Sequence, residues 1–123
     1  MRPEELRDRT AAFSTRVTIW TRSLTGAPET RHVAQQLTRS ATSVASNYRA
    51  AGLGRSRVEF IAKLGVVLEE ADETVYWLEF LRDTRAAGDP NLAALLTEAR
   101  ELVRIFSASV RTARTNQRQL RRR

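Results

Sequence analysis

The chain has 123 residues, carries a formal net charge of +7 and contains no cysteine. This length fits one domain with an ordinary hydrophobic core, and the missing thiols exclude disulfides, thiolate zinc sites and cysteine nucleophiles. No apolar run approaches the roughly 18 residues that span a bilayer, and the charged start is unlike a signal peptide. We therefore expect a soluble, cytoplasmic protein with no membrane partner.

The basic residues are almost all arginines, with Lys63 as the only lysine among 21 basic side chains. Residues 1–57 carry a net charge of +6, residues 58–99 a net of −6, and residues 100–123 a net of +7. Such blocks are typical of a polyanion binder, but opposite blocks can also neutralise each other between packed helices or subunits. A compositional bias towards arginine is a third interpretation, although it does not explain the blocks.

Three clusters of glycine and proline, at residues 26–28, 52–54 and 88–90, divide the chain into four segments with helical patterns. In the first segment the predicted core positions follow the 4-3-4-3-4 spacing of a bundle helix. These positions are Leu6, Thr10, Phe13, Val17, Trp20 and Leu24.

The second segment, about residues 29–51, has smaller residues on its predicted core face, which allow a close approach of helices. These positions are Val33, Leu37, Ser40, Val44, Asn47 and Ala51. A buried amide needs hydrogen-bond partners. We therefore expect Asn47 to be buried beside Ser40 and Ser43 and to tie this helix to its neighbours.

The third segment, about residues 57–87, has an apolar face wide enough to contact two neighbouring helices. Its members are Phe60, Ile61, Leu64, Val67, Leu68, Ala71, Thr74, Val75, Leu78 and Leu81. Ser56 and Glu59, three residues later, form a capping box at its start. The fourth segment begins at Pro90 after Asp89, a favourable N-cap, and is expected to end near Thr112.

Four helices with short connections predict an all-α fold, an antiparallel up-down-up-down four-helix bundle. We assign the bundle to residues 1–114. Residues 115–123 contain one apolar side chain and are expected to form a basic tail that frays or stays disordered.

The stretch Arg39–Arg49, followed by residues 55–61 and 68–73, resembles a four-helix-bundle family encoded in intervening sequences of bacterial 23S ribosomal RNA genes. That family is similar to the accessory variability determinant of diversity-generating retroelements. Its signature residues correspond here to Ser40, Ser43, Asn47, Arg55, Ser56, Glu59, Phe60 and Glu73. Many members have an acidic residue where this chain has Ala50. Any function of that acidic side chain in the family is therefore missing here. The resemblance implies a homo-oligomer, typically a pentameric barrel, whose basic surface engages nucleic acid or a nucleic-acid enzyme.

Few groups in the sequence could support catalysis or metal binding. His32 is the only histidine, so the two Glu-x-x-His motifs of a di-iron bundle cannot be built from one chain, and residues 52–54 lack the spacing and the strand of a phosphate-binding loop. The dense carboxylates of the third segment favour structural ion pairs; they are Glu69, Glu70, Asp72 and Glu73. We predict a protein that is not an enzyme and uses no metal or cofactor.

Four aromatic side chains could stack on unpaired bases: Trp20, Trp77, Tyr48 and Tyr76. Trp20 occupies a core position of the first segment, which favours burial. Trp77 and Tyr76 flank the core position of Leu78, which favours an interface between subunits.

The predicted function is that of a non-catalytic nucleic-acid-binding accessory protein that engages structured RNA or an RNA/DNA hybrid, with RNA favoured over duplex DNA. The alternative is an adaptor that docks a reverse transcriptase or another nucleic-acid enzyme and has no direct nucleic-acid role. Binding is assigned to outward arginines of the first and fourth helices and of the tail. These are Arg2, Arg9, Arg16, Arg104, Arg111, Arg114, Arg118, Arg121, Arg122 and Arg123.

Overall fold

A computed structural model describes residues 1–122 and contains four α-helices. Helix α1 spans Pro3–Thr21, α2 spans Pro28–Ala51, α3 spans Arg57–Thr84 and α4 spans Pro90–Arg121. The described part of the chain has no strand, and the predicted all-α fold is confirmed. None of the four helices combines the length and the apolarity that crossing a bilayer requires.

The helix starts follow from local sequence. A proline, whose missing N–H is not needed there, stands in the first turn of α1, α2 and α4. Ser56 Oγ accepts the N–H of Glu59 at 3.1 Å, and the Glu59 carboxylate accepts the N–H of Arg55 at 2.9 Å. The predicted cap is therefore present, with its return bond made one residue earlier than in the standard capping box. Asp89 accepts the N–H of Asn91 at the start of α4.

The helices pack in a ring in chain order, with α1 also against α4, while the backbones of diagonal helices in the described bundle lie farther apart. The connections are short, so neighbouring helices run antiparallel in the predicted up-down-up-down order. Helix α3 contacts both α2 and α4, as its wide apolar face predicts. The contact between α1 and α4 is the smallest of the four.

The core consists mainly of the predicted positions. In α1, every predicted core residue is buried except Leu24, which is half-buried against the core. In α3, Leu68 and Val75 are half-buried. Phe60 differs most from the prediction, because its side chain is 37% exposed.

Two fully buried hydroxyl groups connect α2 to α3. Thr74 Oγ1 lies 2.9 Å from Ser40 Oγ, and Ser40 Oγ donates to the carbonyl of Leu37. Asn47 is only half-buried, and its amide donates to the carbonyl and the hydroxyl of Ser43 within the same helix. The prediction that Asn47 ties α2 to its neighbours is therefore wrong. Ser40 has that role, because it faces α3 directly.

We expect Asn47→Ala to lower the free energy of unfolding by less than about 1 kcal/mol, because both of its hydrogen bonds lie within α2 and its amide is partly solvated. Urea denaturation of parent and variant at equal protein concentration measures the difference. A decrease in the free energy of unfolding above about 2 kcal/mol would contradict this local role and indicate that Asn47 has a hydrogen-bond partner on another helix.

Helix α4 continues to Arg121, nine residues beyond the predicted end at Thr112. Residues 115–121 are helical, so the prediction of a frayed or disordered tail is wrong for them. No glycine or proline interrupts the chain after Pro90. Arginines in the last turn also favour the carbonyl end of the helix dipole. Arg123 lies outside the described residues.

Candidate functional site

One predicted nucleic-acid-binding arginine is used inside the bundle. Arg9 donates from Nε and Nη2 to the carboxylate of Glu98, at 2.7 Å each, and Nη2 lies 3.2 Å from Glu101. The side chains of Arg9 and Glu98 are only 25% and 18% exposed. The hydrogen bond with Glu98 is the largest of the effects that raise the pKa of Arg9 above its usual value. Arg9 is thus held by carboxylates that α4 presents at the same level of the bundle, and its contact with nucleic acid stays a prediction.

Three more ion pairs, made by two arginines, connect positive blocks to the negative block. Arg39 of α2 pairs with Glu70 and Glu73 of α3, and Arg100 of α4 pairs with Glu79 of α3 at 2.8 Å. For these arginines the opposite charge blocks neutralise each other between packed helices, which is one of the interpretations of the sequence. Glu73, a residue of the family signature, serves in this contact.

The remaining arginines of α4 form an exposed face. Spacings of three, four and seven residues place them on one side of the helix. The exposed arginines of α4 and its C-cap that make no ion pair within residues 1–122 are Arg104, Arg111, Arg114, Arg118, Arg121 and Arg122. They are free to contact a polyanion.

The antiparallel order brings these arginines to the same end of the bundle as the start of the chain. Arg57 and Phe60 of α3 line one groove together with Asn116 of α4. The Tyr48 ring of α2 lies 5.4 Å from the Phe106 ring of α4. Burial raises the pKa of Tyr48, and the nearby charge of Arg7 in α1 opposes that rise. All four helices thus contribute to this end.

We call residues 1–12, 40–70 and 106–122 the basic end. They carry twelve basic side chains and six carboxylates, whereas the rest of the described chain carries eight of each. Arg9 is one of the twelve, although the carboxylates that pair with it, Glu98 and Glu101, are counted in the other half. Without Arg9 the basic end still carries eleven basic side chains against six carboxylates, so most of the net positive charge lies in this half. This location differs from the predicted stripes along the whole of α1 and α4.

Five exposed basic residues at this end were not predicted to bind nucleic acid: Arg7, Arg49, Arg55, Arg57 and Lys63. Arg55 was assigned to the family signature only. The predicted topology contained the necessary signal, because alternating helices place the α2–α3 turn beside the C-terminal half of α4.

The predicted arginines of α1 do not form a stripe. Arg2 lies at the basic end and pairs with Glu5 at 2.9 Å, with both side chains largely exposed. Arg16 lies at the opposite end, where it lines a groove with Trp20 and Asn91. Only Arg2 of the three predicted α1 arginines can therefore act together with those of α4.

An open groove of about 700 Å³ lies at the basic end between the start of α3 and the second half of α4. The groove is open because α1 is too short to cover this part of α4. Arg9 of α1 lies level with Glu101 of α4; only six residues of α1 precede Arg9, whereas twenty residues of α4 follow Glu101. The groove is lined by Arg57, Phe60, Leu64, Ala108, Ser109, Thr112, Ala113 and Asn116.

Aromatic side chains form a cluster on the other half of α3. The ring centroids of Tyr76 and Trp77 are 4.9 Å apart, and the Trp77 ring also contacts those of Phe80 and His32. Tyr76 is 54% exposed. The buried Nε1 of Trp77 has no acceptor within residues 1–122. Aromatic residues are enriched in protein interfaces, and the location of Tyr76 and Trp77 at an interface between subunits stays a prediction.

The other two candidate stacking residues face inward. Trp20 is 8% exposed, which confirms its predicted core position, and its Nε1 lies 3.3 Å from a carboxylate oxygen of Asp89. Tyr48 packs against Phe106. Within residues 1–122 no group of three or more histidine, aspartate or glutamate side chains is arranged to hold a metal ion.

Comparisons with known proteins agree with this architecture. The family described as 23S rRNA-intervening sequence protein matches residues 5–108. A solved structure from Bacteroides thetaiotaomicron, described as a protein with unknown function from the S23 ribosomal protein family, is 28% identical with a TM-score of 0.79. The match covers 90% of this chain and 99% of that one. No curated protein matches the chain. The predicted resemblance is confirmed, and the chain belongs to the 23S rRNA-intervening sequence protein family.

Proposed function

We propose that the protein is a non-catalytic, cytoplasmic accessory protein that binds structured RNA or an RNA/DNA hybrid through its basic end. The observation that carries this proposal is the uneven charge: twelve basic side chains against six carboxylates in one half, and eight against eight in the other. A surface of one sign attracts a polyanion over a long range. Guanidinium groups also match phosphate oxygens with two parallel hydrogen bonds.

The shape of the basic end favours contacts with the backbone of a nucleic acid. Arg111 and Arg121 are ten residues apart on α4, a distance of about 15 Å along its axis. A rigid row of this length can follow successive phosphates without reading base edges. Binding is therefore expected to depend on the shape and charge of the nucleic acid more than on its sequence.

We also propose that copies of the chain assemble, as a pentamer by the family resemblance, through the aromatic cluster of α3. The exposure of Tyr76 and the unpaired Nε1 of Trp77 support this, because aromatic residues are enriched in protein interfaces. A ring would present several basic ends to one nucleic acid. Weak phosphate contacts would then add through multivalency.

A salt titration tests the binding proposal. We expect a labelled RNA hairpin and an RNA/DNA hybrid to bind with a log–log salt slope of about −4 to −5 if six arginines each neutralise one phosphate. Fluorescence anisotropy between 50 and 300 mM salt (about the range in which such contacts weaken) gives the slope. A flat dependence, or no binding at the lowest salt, would replace this proposal by the adaptor that docks a reverse transcriptase or another nucleic-acid enzyme.

A further inference from the structure

We propose that the groove at the basic end holds one unpaired nucleotide, with its base stacked on Phe60 and its phosphate beside Arg57. This inference rests on the proposed function and specifies it. The nucleic acid must offer a base outside a duplex, as in a loop, a bulge or a single-stranded end.

Phe60 is an aromatic side chain in an unusual position. It lies one helical turn before Leu64, a core residue that is 2% exposed, yet Phe60 is 37% exposed. Both residues line the groove, because α1 does not reach this part of α4. An aromatic ring at an open groove is the platform on which proteins stack unpaired bases.

The wall opposite Phe60 supplies small and polar groups. It consists of Ala108, Ser109, Thr112, Ala113 and Asn116 of α4. The two alanines leave room for a planar ring. The hydroxyls and the amide can donate and accept hydrogen bonds at the edge of a base.

The length of the groove selects a nucleotide over a helix of a partner protein. Its α4 wall runs from Ala108 to Asn116, which is about 12 Å along the helix axis. Helices in proteins average about 11 to 12 residues, or about 17 Å, and would extend past both ends of this wall. The volume of about 700 Å³ lies within the range of small-ligand pockets.

Positive charge lies on the α3 side of the groove. Arg57 lines it directly, and Lys63 follows Phe60 by one turn on α3. Arg111, Arg114 and Arg118 of α4 line a separate groove together with Leu68. A phosphate beside a seated base would therefore meet the guanidinium group of Arg57.

Two probes of equal charge test the proposal: a labelled 12-nucleotide oligouridine and an abasic 12-mer with the same backbone. We expect the parent protein to bind oligouridine more tightly than the abasic probe. Phe60→Ala should weaken oligouridine binding about tenfold, as expected for the loss of one base stack, and leave abasic binding unchanged. Val66→Ala is the matched control, because Val66 is 38% exposed on the same half of α3 and does not line the groove. It should bind both probes like the parent.

If Phe60→Ala folds poorly, Phe60→Leu replaces it in the test, because it keeps an apolar side chain but has no ring. Phe60→Tyr keeps the ring and should still bind oligouridine more tightly than the abasic probe. Equal weakening of both probes by the Phe60 variants, or no weakening, would overturn the groove proposal. The proposal would also be overturned if the Phe60 variants formed a smaller assembly than the parent in sedimentation velocity. A second copy of the chain would then occupy the groove in the parent. Arginine variants of the basic end lower the affinity for both probes, so the proposed function is tested separately.

Discussion

Replacing Arg111, Arg114 and Arg118 together by glutamine should weaken the binding of an RNA hairpin at 100 mM salt by about 100-fold or more. Counterion release makes each neutralised phosphate worth about 0.7 to 0.9 of a power of ten at 0.1 M salt, and three contacts are lost. For the same reason the log–log salt slope should become flatter by about 2 to 3. Anisotropy titrations at several salt concentrations measure both quantities.

The matched control removes the same charge from the opposite end. Arg16, Arg22 and Arg31 are exposed and make no ion pair within residues 1–122, so their replacement by glutamine should change RNA affinity by less than about threefold. Circular dichroism should show the parent helix content in both triple variants. An equal loss of affinity in the two would mean that total charge, and not the basic end, governs binding.

Phe106→Ala should lower the free energy of unfolding by about 3 to 5 kcal/mol, the range for deleting a buried ring. Phe106 is fully buried and packs against Tyr48, where α4 meets α2 beneath the basic end. Urea denaturation of parent and variant measures the loss, at one protein concentration because the proposed assembly would contribute to stability.

The same substitution at an exposed ring serves as the control for Phe106. Phe60→Ala should cost less than about 1 kcal/mol, since more than a third of that side chain is already in water. Similar losses in the two variants would show that Phe60 is part of the core and that the groove is closed in solution.

Periodicity predicted the faces of the helices well, because burial of one face is what spaces apolar residues by three and four. Phe13, Val17 and Leu78 are buried as predicted. The same periodicity does not say how far a neighbouring helix extends along the axis. Phe60 was therefore assigned to the core, although α1 ends before it could cover that position.

The residues proposed to bind nucleic acid were harder to predict. A heptad position on the outside of one helix can face another helix in the bundle. Arg9 is such a residue, since its outward position meets Glu98 of α4. The three charge blocks describe the order of residues along the chain, whereas the basic end is formed by the return of the chain at each turn. Arg49 and Arg57 were missed for this reason.

The basic end holds eleven arginines and a single lysine, and the only histidine lies in the other half of the bundle. Histidine is the side chain that switches its charge near neutral pH, and arginine does not share that property. Acetylation, which neutralises lysines, can remove at most the one charge of Lys63. If the basic end binds a polyanion as we propose, we therefore expect its release to depend on ionic strength or on a competing polyanion and not on mild acidity or lysine acetylation.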